Sequence, residues 1–337
     1  MNKEILVVKN LNTFCPSSLG KSVLRILDNV SIIVREYDIL GLVGETGAGK
    51  SVLIDAIGCN LKPPLWFEVE QLSVNLDGRM ENLMNRSEEE LTKIWGRGIA
   101  FIPPNARDRL NPILTIGEQF INVIRAHIQI PPKQAREKAI EMFRMVQMPD
   151  AAQNLHSYPH ELSGGMAQRV VISIALFMSP KLLLADEPTM GLDVTIQKQV
   201  LDLMAKLFSD LQSGVIIATR DLGIVANYCN RVAVMCNGQV VELAPVREFF
   251  KNAVHPYSHY LLEAAFASHG MAGRIDSKKV ATKSEMEIRS EQSCRFVGRC
   301  PYAEEIKELC WSVVPPETFV SEEHFVRCHR IFEREIG

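Results

Sequence analysis

The 337-residue sequence lacks any apolar run approaching the ~18 residues that cross a bilayer. Its first residues, MNKEILVVKN, lack the basic region, apolar core and cleavage site of a secretory signal. A soluble, cytosolic chain is therefore expected, with any membrane role exercised through a partner. It also lacks a basic cluster: the net charge is −3 with Lys and Arg scattered, so no nucleic-acid partner is expected. There is no internal repeat. Hydrophobic residues make up 47%, which argues against global disorder. Finally, the cysteines lack the paired C-x2-C knuckles of most zinc sites.

What is present is strand–helix alternation. ILVVKNL near the start and NVSIIV at 29–34 read as strands, and ILGLVG at 39–44 is the continuous apolar run of a strand buried on both faces. SEEELTKIW (87–95) opens with Ser and carries acids in its first turn, a helix start, and GIAFI (98–102) is a short strand. Residues 113–178 are mostly helical, and about 104–178 forms an inserted helical subdomain. KLLLADEP and VIIATR read as further buried strands. TIQKQVLDLMAKLFSDLQSG is an amphipathic helix expected to stop on Gly214, and RVAVMCNGQVVELA is a hairpin on Asn-Gly. The alternation predicts an α/β fold with a mainly parallel sheet. The expected division is 1–260 as a nucleotide-binding domain, 261–293 as a polar linker and 294–337 as a small cysteine-rich extension.

GETGAGKS matches G-x-x-x-x-G-K-[ST] between a strand and a helix. Gly44, Glu45, Thr46, Gly47, Ala48 and Gly49 supply backbone N–H groups for phosphate, aided by the positive end of the following helix. Lys50 is expected to reach the β and γ phosphates of ATP, and Ser51 to ligate Mg²⁺. LLLADEP adds Asp186, a second Mg²⁺ holder at a strand end, and Glu187, the catalytic group placed to polarise an attacking water.

YPHELSGGMAQRVVISIAL (158–176), with GETGAGKS, LLLADEPTMGLD and IIATRDLG in matching order, resembles the ATP-binding-cassette ATPases over residues 1–260. YPHELSGGM, LNPILTIGEQ, LDVTIQ and HPYSHYLLEA narrow the likeness to the ATPase subunits of oligopeptide, dipeptide and nickel importers. The resemblance implies a P-loop NTPase with a RecA-like core, an antiparallel β subdomain and the helical insertion. It also implies a head-to-tail dimer in which Ser163, Gly164 and Gly165 of the signature face the partner's ATP. The second cassette is expected to be a different chain. Two membrane permease subunits and, indirectly, an extracytoplasmic substrate-binding protein complete the partners, placing the chain peripherally on the cytoplasmic side of the cell membrane. The adenine of such ATPases usually stacks on an aromatic between the first two strands, and Phe14 is the candidate.

Two positions depart from the family pattern. The strand before LNP usually runs into a glutamine that touches Mg²⁺ and water; here that position is Pro104, and 98–112 contains no Gln. A histidine usually precedes Asp-Leu-Gly; here it is Arg220. Proline offers no side-chain acceptor and no N–H. Arg is a permanent cation that can pair with the γ-phosphate. The expectation is a site that binds MgATP and hydrolyses it slowly, its signature completing a competent site on the partner. The alternative is ordinary turnover by Glu187 alone. A different class of function, a non-transport regulatory cassette using ATP as a clamp, also stands.

Of the eight cysteines, Cys294, Cys300, Cys310 and Cys328 crowd near the end with spacing C-x5-C-x9-C-x17-C. The stretch resembles the C-terminal extension of peptide-importer ATPases, which implies a [4Fe–4S] cluster. Zn²⁺ or plain reduced cysteines are the alternatives. A stabilising role is expected, a redox sensor being the sharper alternative. His324 and His329 nearby are expected on the surface.

Overall fold

The computed structural model describes residues 3–17, 22–268 and 292–331. In chain order its strands begin with β1 (Glu4–Pro16), β2 (Val23–Arg35), β3 (Ile39–Val43), β4 (Trp66–Glu68), β5 (Gln71–Leu76), β6 (Arg79–Asn82) and β7 (Ile99–Ile102). They continue with β8 (Leu182–Asp186), β9 (Gly214–Thr219), β10 (Arg231–Cys236), β11 (Gln239–Pro245), β12 (Thr318–Ser321) and β13 (His324–Val326). The helices begin with α1 (Lys50–Ile57), α2 (Glu88–Ile94), α3 (Ala106–Arg109), α4 (Ile116–His127), α5 (Pro132–Met145) and α6 (Ala151–Asn154). They continue with α7 (Gly164–Leu176), α8 (Val194–Leu211), α9 (Leu222–Tyr228), α10 (Val246–Asn252), α11 (Pro256–Ser268) and α12 (Lys307–Ser312). No described helix is long and apolar enough to cross a membrane.

The chain folds as two compact units. The first comprises Met1–Val7, Ile33–Asp38 and Leu72–Ile217. Here β7 and β8 pair in parallel, Ile99 opposite Leu182 and Ile102 opposite Ala185, so a crossover connection must join them. That crossover is the helical insertion, α3 to α7. Its core is aromatic: the Phe120 ring centroid lies 5.7 Å from that of Phe143 and 5.8 Å from that of Phe177. Ser87 and Thr115 begin α2 and α4 with capping boxes to Glu90 and Glu118, so orphan N–H groups at both helix starts are satisfied. The helix expected to stop on Gly214 instead ends at Leu211, with Gln212 in the left-handed conformation as its cap. Gly214 is a buried strand residue, and a Cβ there would stand 2.7 Å from Val34 Cγ1. It is glycine for packing against β2, not for stopping a helix.

The second unit comprises Val8–Ile32, Ile39–Gln71 and Ala218–Gly337. Its sheet runs β12-β13-β11-β10-β3. β3 and β10 are parallel, with Val43 opposite Val234, and β10 and β11 form the expected Asn237–Gly238 hairpin. The C-terminal segment adds β13 antiparallel to β11, Glu242 opposite Val326. One apolar core holds Val43, Val234, Val241 and Phe249 together with Cys294, Phe296, Val297 and Cys310. The cysteine-bearing segment thus shares its core with the sheet whose strand β3 leads into the glycine-rich 44–51 loop. α11 extends the helix to Ser268, past the expected boundary at 260. Residues 269–291 of the expected linker lie outside the described residues.

Candidate functional site

β3 is buried to its end, and the chain turns once before α1 begins at Lys50. The turn needs its glycines. Gly49 has φ 102°, in the left-handed region, and a Cβ on Gly44 would stand 2.3 Å from the Met235 carbonyl oxygen. Lys50 is buried and folds back across the loop, donating to the carbonyls of Gly44 (2.7 Å) and Glu45 (3.1 Å), while Ser51 is exposed on the next position. A cavity of about 660 Å³ lies over Gly44–Ala48, within the size range of small-molecule sites. Arg220 lines it, and its Nη1 donates to Thr46 Oγ1 at 3.4 Å, so a fixed cation stands beside the loop.

Two residues that sequence reasoning missed also line this cavity. Tyr257 Oη accepts from the Glu45 N–H (3.0 Å) and donates to Glu45 Oε2 (3.3 Å). Burial pushes its phenol well above the usual range, so it stays protonated and able to donate. Arg299 grips the same carboxylate with two bonds, Nη1 to Oε1 at 3.2 Å and Nη2 to Oε2 at 2.6 Å. Its guanidinium is held by the Tyr257, Tyr260 and Phe296 rings, at 5.9, 5.1 and 5.4 Å from their centroids. HPYSHYLLEA contains Tyr257, and Arg299 stands directly before Cys300, but neither local sequence states that these side chains meet the loop.

The first unit carries the carboxylates. Asp186 is buried at the end of β8. Glu187 follows with φ 43°, half-buried, a conformation that costs about 1–3 kcal/mol for a non-glycine residue and clusters at functional sites. In the same unit Ser163 caps α7, its Oγ accepting from Met166 N at 3.2 Å. Close packing presses on Gly165, where a Cβ would lie 2.5 Å from Ile196 Cγ2, whereas a Cβ on Gly164, 3.1 Å from Leu192 Cδ2, needs that side chain to give by only a few tenths of an ångström. Past β7 the chain passes through Pro103 and the half-buried Pro104 to Asn105, at φ 53°. No glutamine stands there. Gln119 instead braces the following loop, accepting from Asn111 N (2.8 Å) and donating to the carbonyls of Asn111 and Leu114 (3.0 Å each).

Phe14 pairs across strands with Trp66, and the two rings stack with centroids 5.7 Å apart. The Arg25 guanidinium carbon lies 5.8 Å from the Phe14 centroid. Trp66, 39% exposed, is thus a second aromatic at the position given to Phe14 alone.

The C-terminal cysteines converge without closing on a centre. Cys294 N–H donates to the Cys310 carbonyl at 2.9 Å, and Cys294 and Cys310 are buried, Cys300 and Cys328 half-buried. Burial pushes the Cys300 thiol to about 11 and raises those of Cys294 and Cys328, with Cys310 and Cys328 themselves adding to the shift at Cys294. Among the described residues, however, no group of three or more His, Cys, Asp or Glu stands close enough to hold a metal ion. The arrangement found therefore does not itself form a cluster site. The histidines expected on the surface are buried. His324 Nε2 lies 2.8 Å from Glu242 Oε1, and His329 Nε2 lies 3.0 Å from the Val313 carbonyl. His324 fills the seam where β13 joins β11, a placement that only long-range pairing could reveal, while His329 packs against the chain just past α12.

Comparison with known proteins adds three findings. The family described as ABC transporter matches residues 27–190, and that described as oligopeptide/dipeptide transporter, C-terminal region, matches residues 241–306. The oligopeptide transport ATP-binding protein AppD of Bacillus subtilis is 37% identical over 98% of both chains. A probable peptide ABC transporter ATP-binding protein, y4tR of Sinorhizobium fredii, is 37% identical over 92% of this chain and 90% of its own. Among solved structures, the cassette MJ0796 in a dimeric post-hydrolysis state bound to ADP and Pi matches with TM-score 0.62 and 26% identity. That match covers 72% of this chain and 99% of the other.

Proposed function

The chain belongs to the ABC transporter family as an ATP-binding subunit, an ATPase coupled to transport, and from that premise we propose that it is a motor subunit of a peptide-type importer. The observation that carries this reading is the joint presence of the cassette and the oligopeptide/dipeptide C-terminal region in one chain. In the proposal the chain pairs head-to-tail with a second, different cassette. It sits peripherally on the cytoplasmic side of two permease subunits, and an extracytoplasmic binding protein, a partner only indirectly, delivers cargo to those permeases.

Lys50 and the loop N–H groups other than that of Glu45, which Tyr257 Oη holds, bind the phosphates, and Ser163, Gly164 and Gly165 face the partner's nucleotide. Ser51 in one unit and Asp186 in the other each offer an oxygen of the kind Mg²⁺ prefers, and the ion, when bound, would neutralise phosphate charge. Glu187 orients and polarises the water. Pro104 and Arg220 make this chain's own site slow: proline cannot hold water, and Arg220 beside Thr46 favours retaining ATP over releasing its products. Phe14, with Trp66, offers the aromatic face for adenine. For Cys294, Cys300, Cys310 and Cys328 we propose a [4Fe–4S] centre, or Zn²⁺ as the alternative, with the thiols drawing together on loading. Their placement in one segment, two buried and two half-buried, supports it, and iron, labile-sulfide and zinc assays on anaerobic protein decide it.

Single-turnover hydrolysis of radiolabelled MgATP beside Glu187→Gln tests the motor. Wild type as slow as the variant, with both binding ATP, supports the slow site; brisk wild-type turnover stopped by Glu187→Gln refutes it. Pro104 and Arg220 also favour the second reading, a regulatory cassette clamped by ATP. ATP-driven dimerisation with no affinity for permease subunits would select that one.

A further inference from the structure

A carboxylate in a phosphate-binding loop is an electrostatic problem. Glu45 lies between Gly44 and the loop's exposed tip, and its charge opposes the polyphosphate that the loop must receive. Two side chains answer it. Tyr257 uses one hydroxyl to hold both the Glu45 N–H and Oε2 (3.0 and 3.3 Å). Arg299 places two N–H groups on the two carboxylate oxygens, at 3.2 and 2.6 Å. The Tyr257, Tyr260 and Phe296 rings hold that guanidinium in place. Arg299 and Tyr257 line the same cavity as Gly44, Glu45 and Thr46.

We propose that Arg299 is a positioning residue for nucleotide binding: it neutralises the Glu45 carboxylate within the phosphate loop, so that the C-terminal segment tunes the loop's affinity for nucleoside triphosphate. The bidentate geometry is what an Arg–carboxylate pair requires and what a lysine cannot reproduce. The pair is partly exposed, with side-chain accessibilities of 19% for Arg299 and 39% for Glu45, so its charge effect is open to salt screening. The inference rests on the ATP-binding reading of the loop.

The test is calorimetric titration of the full chain with ATP, ADP and AMP in a Glu187→Gln background that blocks turnover. Arg299→Ala is expected to weaken ATP about tenfold, ADP less and AMP hardly at all, because the penalty scales with phosphate charge. At roughly 0.5 M salt the defect shrinks to about twofold. Arg299→Lys recovers part of the loss. Arg299→Ala combined with Glu45→Gln binds ATP within about twofold of Glu45→Gln alone, since no charge remains to neutralise. Equal losses for all three nucleotides, indifference to salt, or no relief by Glu45→Gln would make Arg299 a packing residue and overturn the proposal. So would unchanged ATP affinity in Arg299→Ala. Should Arg299→Ala fail to fold, Glu45→Gln decides by itself: it keeps an acceptor for Arg299 and removes the charge, so ATP affinity holds or rises. A loss beyond about threefold overturns the inference. Absence of ATP binding by the chain with an unaltered loop would instead sink the ATP-binding reading.

Discussion

Replacing His255 with asparagine should flatten the acid limb of this protein's stability curve. His255 precedes Pro256, the first residue of α11, and its Nδ1 accepts from the Tyr257 N–H at 3.0 Å. It therefore caps the helix that delivers Tyr257 to the phosphate loop, with proline at the first helical position. The ring is 1% exposed, and burial lowers its pKa from 6.5 to about 4. Glu242 opposes that shift and His259 adds to it, while the Arg327 backbone stabilises the charged form. The folded pKa is depressed, so the unfolded chain takes up the proton first. The contribution is complete above pH 6.5 and is lost as pH falls toward about 4. At ~1.4 kcal/mol per tenfold, the full gap is worth about 3 kcal/mol, of which about 2 is gone by pH 5. Asparagine keeps a capping acceptor and has no proton to gain. Urea unfolding followed by tryptophan fluorescence between pH 7.5 and 5.0 should give a wild-type curve steeper than that of His255→Asn by about 2 kcal/mol across that interval. Parallel curves would show that His255 is not the titrating group, and would refute the assignment of its burial as the cause.

Restoring the family residues with Pro104→Gln and Arg220→His should raise single-turnover hydrolysis by about tenfold or more if the slow site stems from them; an unchanged rate removes them as the cause. Gly165→Ala forces a Cβ to 2.5 Å from Ile196 Cγ2, so a loss of roughly 1–3 kcal/mol is expected in a thermal melt, and an unshifted midpoint would mean that Ile196 moves freely. Arg295 pairs with Asp28, which also holds Arg25 at 2.8 Å and accepts from Gln239 at 2.7 Å. Arg295→Met strips a partner from this nearly buried carboxylate and should destabilise the chain by about 3 kcal/mol at neutral pH, measured by urea unfolding. Burial opposes the ionised form of Asp28, but Arg295 and Arg25 overcome it and hold its pKa below 3.8, so this stabilisation is lost as pH falls through that lowered value.

What could be read from the sequence was what neighbours decide. The strand–turn–helix around Lys50, the helix start at Ser87 and the Asn237–Gly238 hairpin each follow from a few adjacent residues, and each stands as expected. Gly214 shows the limit of that logic. Its position after an amphipathic helix invites a capping role, yet the requirement comes from Val34, far back in the sequence, which leaves no room for a Cβ. His324 fails for the same reason: a polar residue near the chain's end reads as exposed until β13 is known to pair with β11 over Glu242. The candidate site divides along this line too. The half proposed to bind phosphate is a contiguous octapeptide, whereas Tyr257 and Arg299 lie 212 and 254 residues from the Glu45 they hold. No local period or spacing encodes such a pairing. It becomes visible only because a polar, cysteine-rich tail shares its core with the strands around the loop, through Phe296 and Val297 on one side and Val43 and Val234 on the other. A segment so anchored cannot shift without pulling on Arg299, which is why its condition and the loop's readiness for ATP are expected to change together.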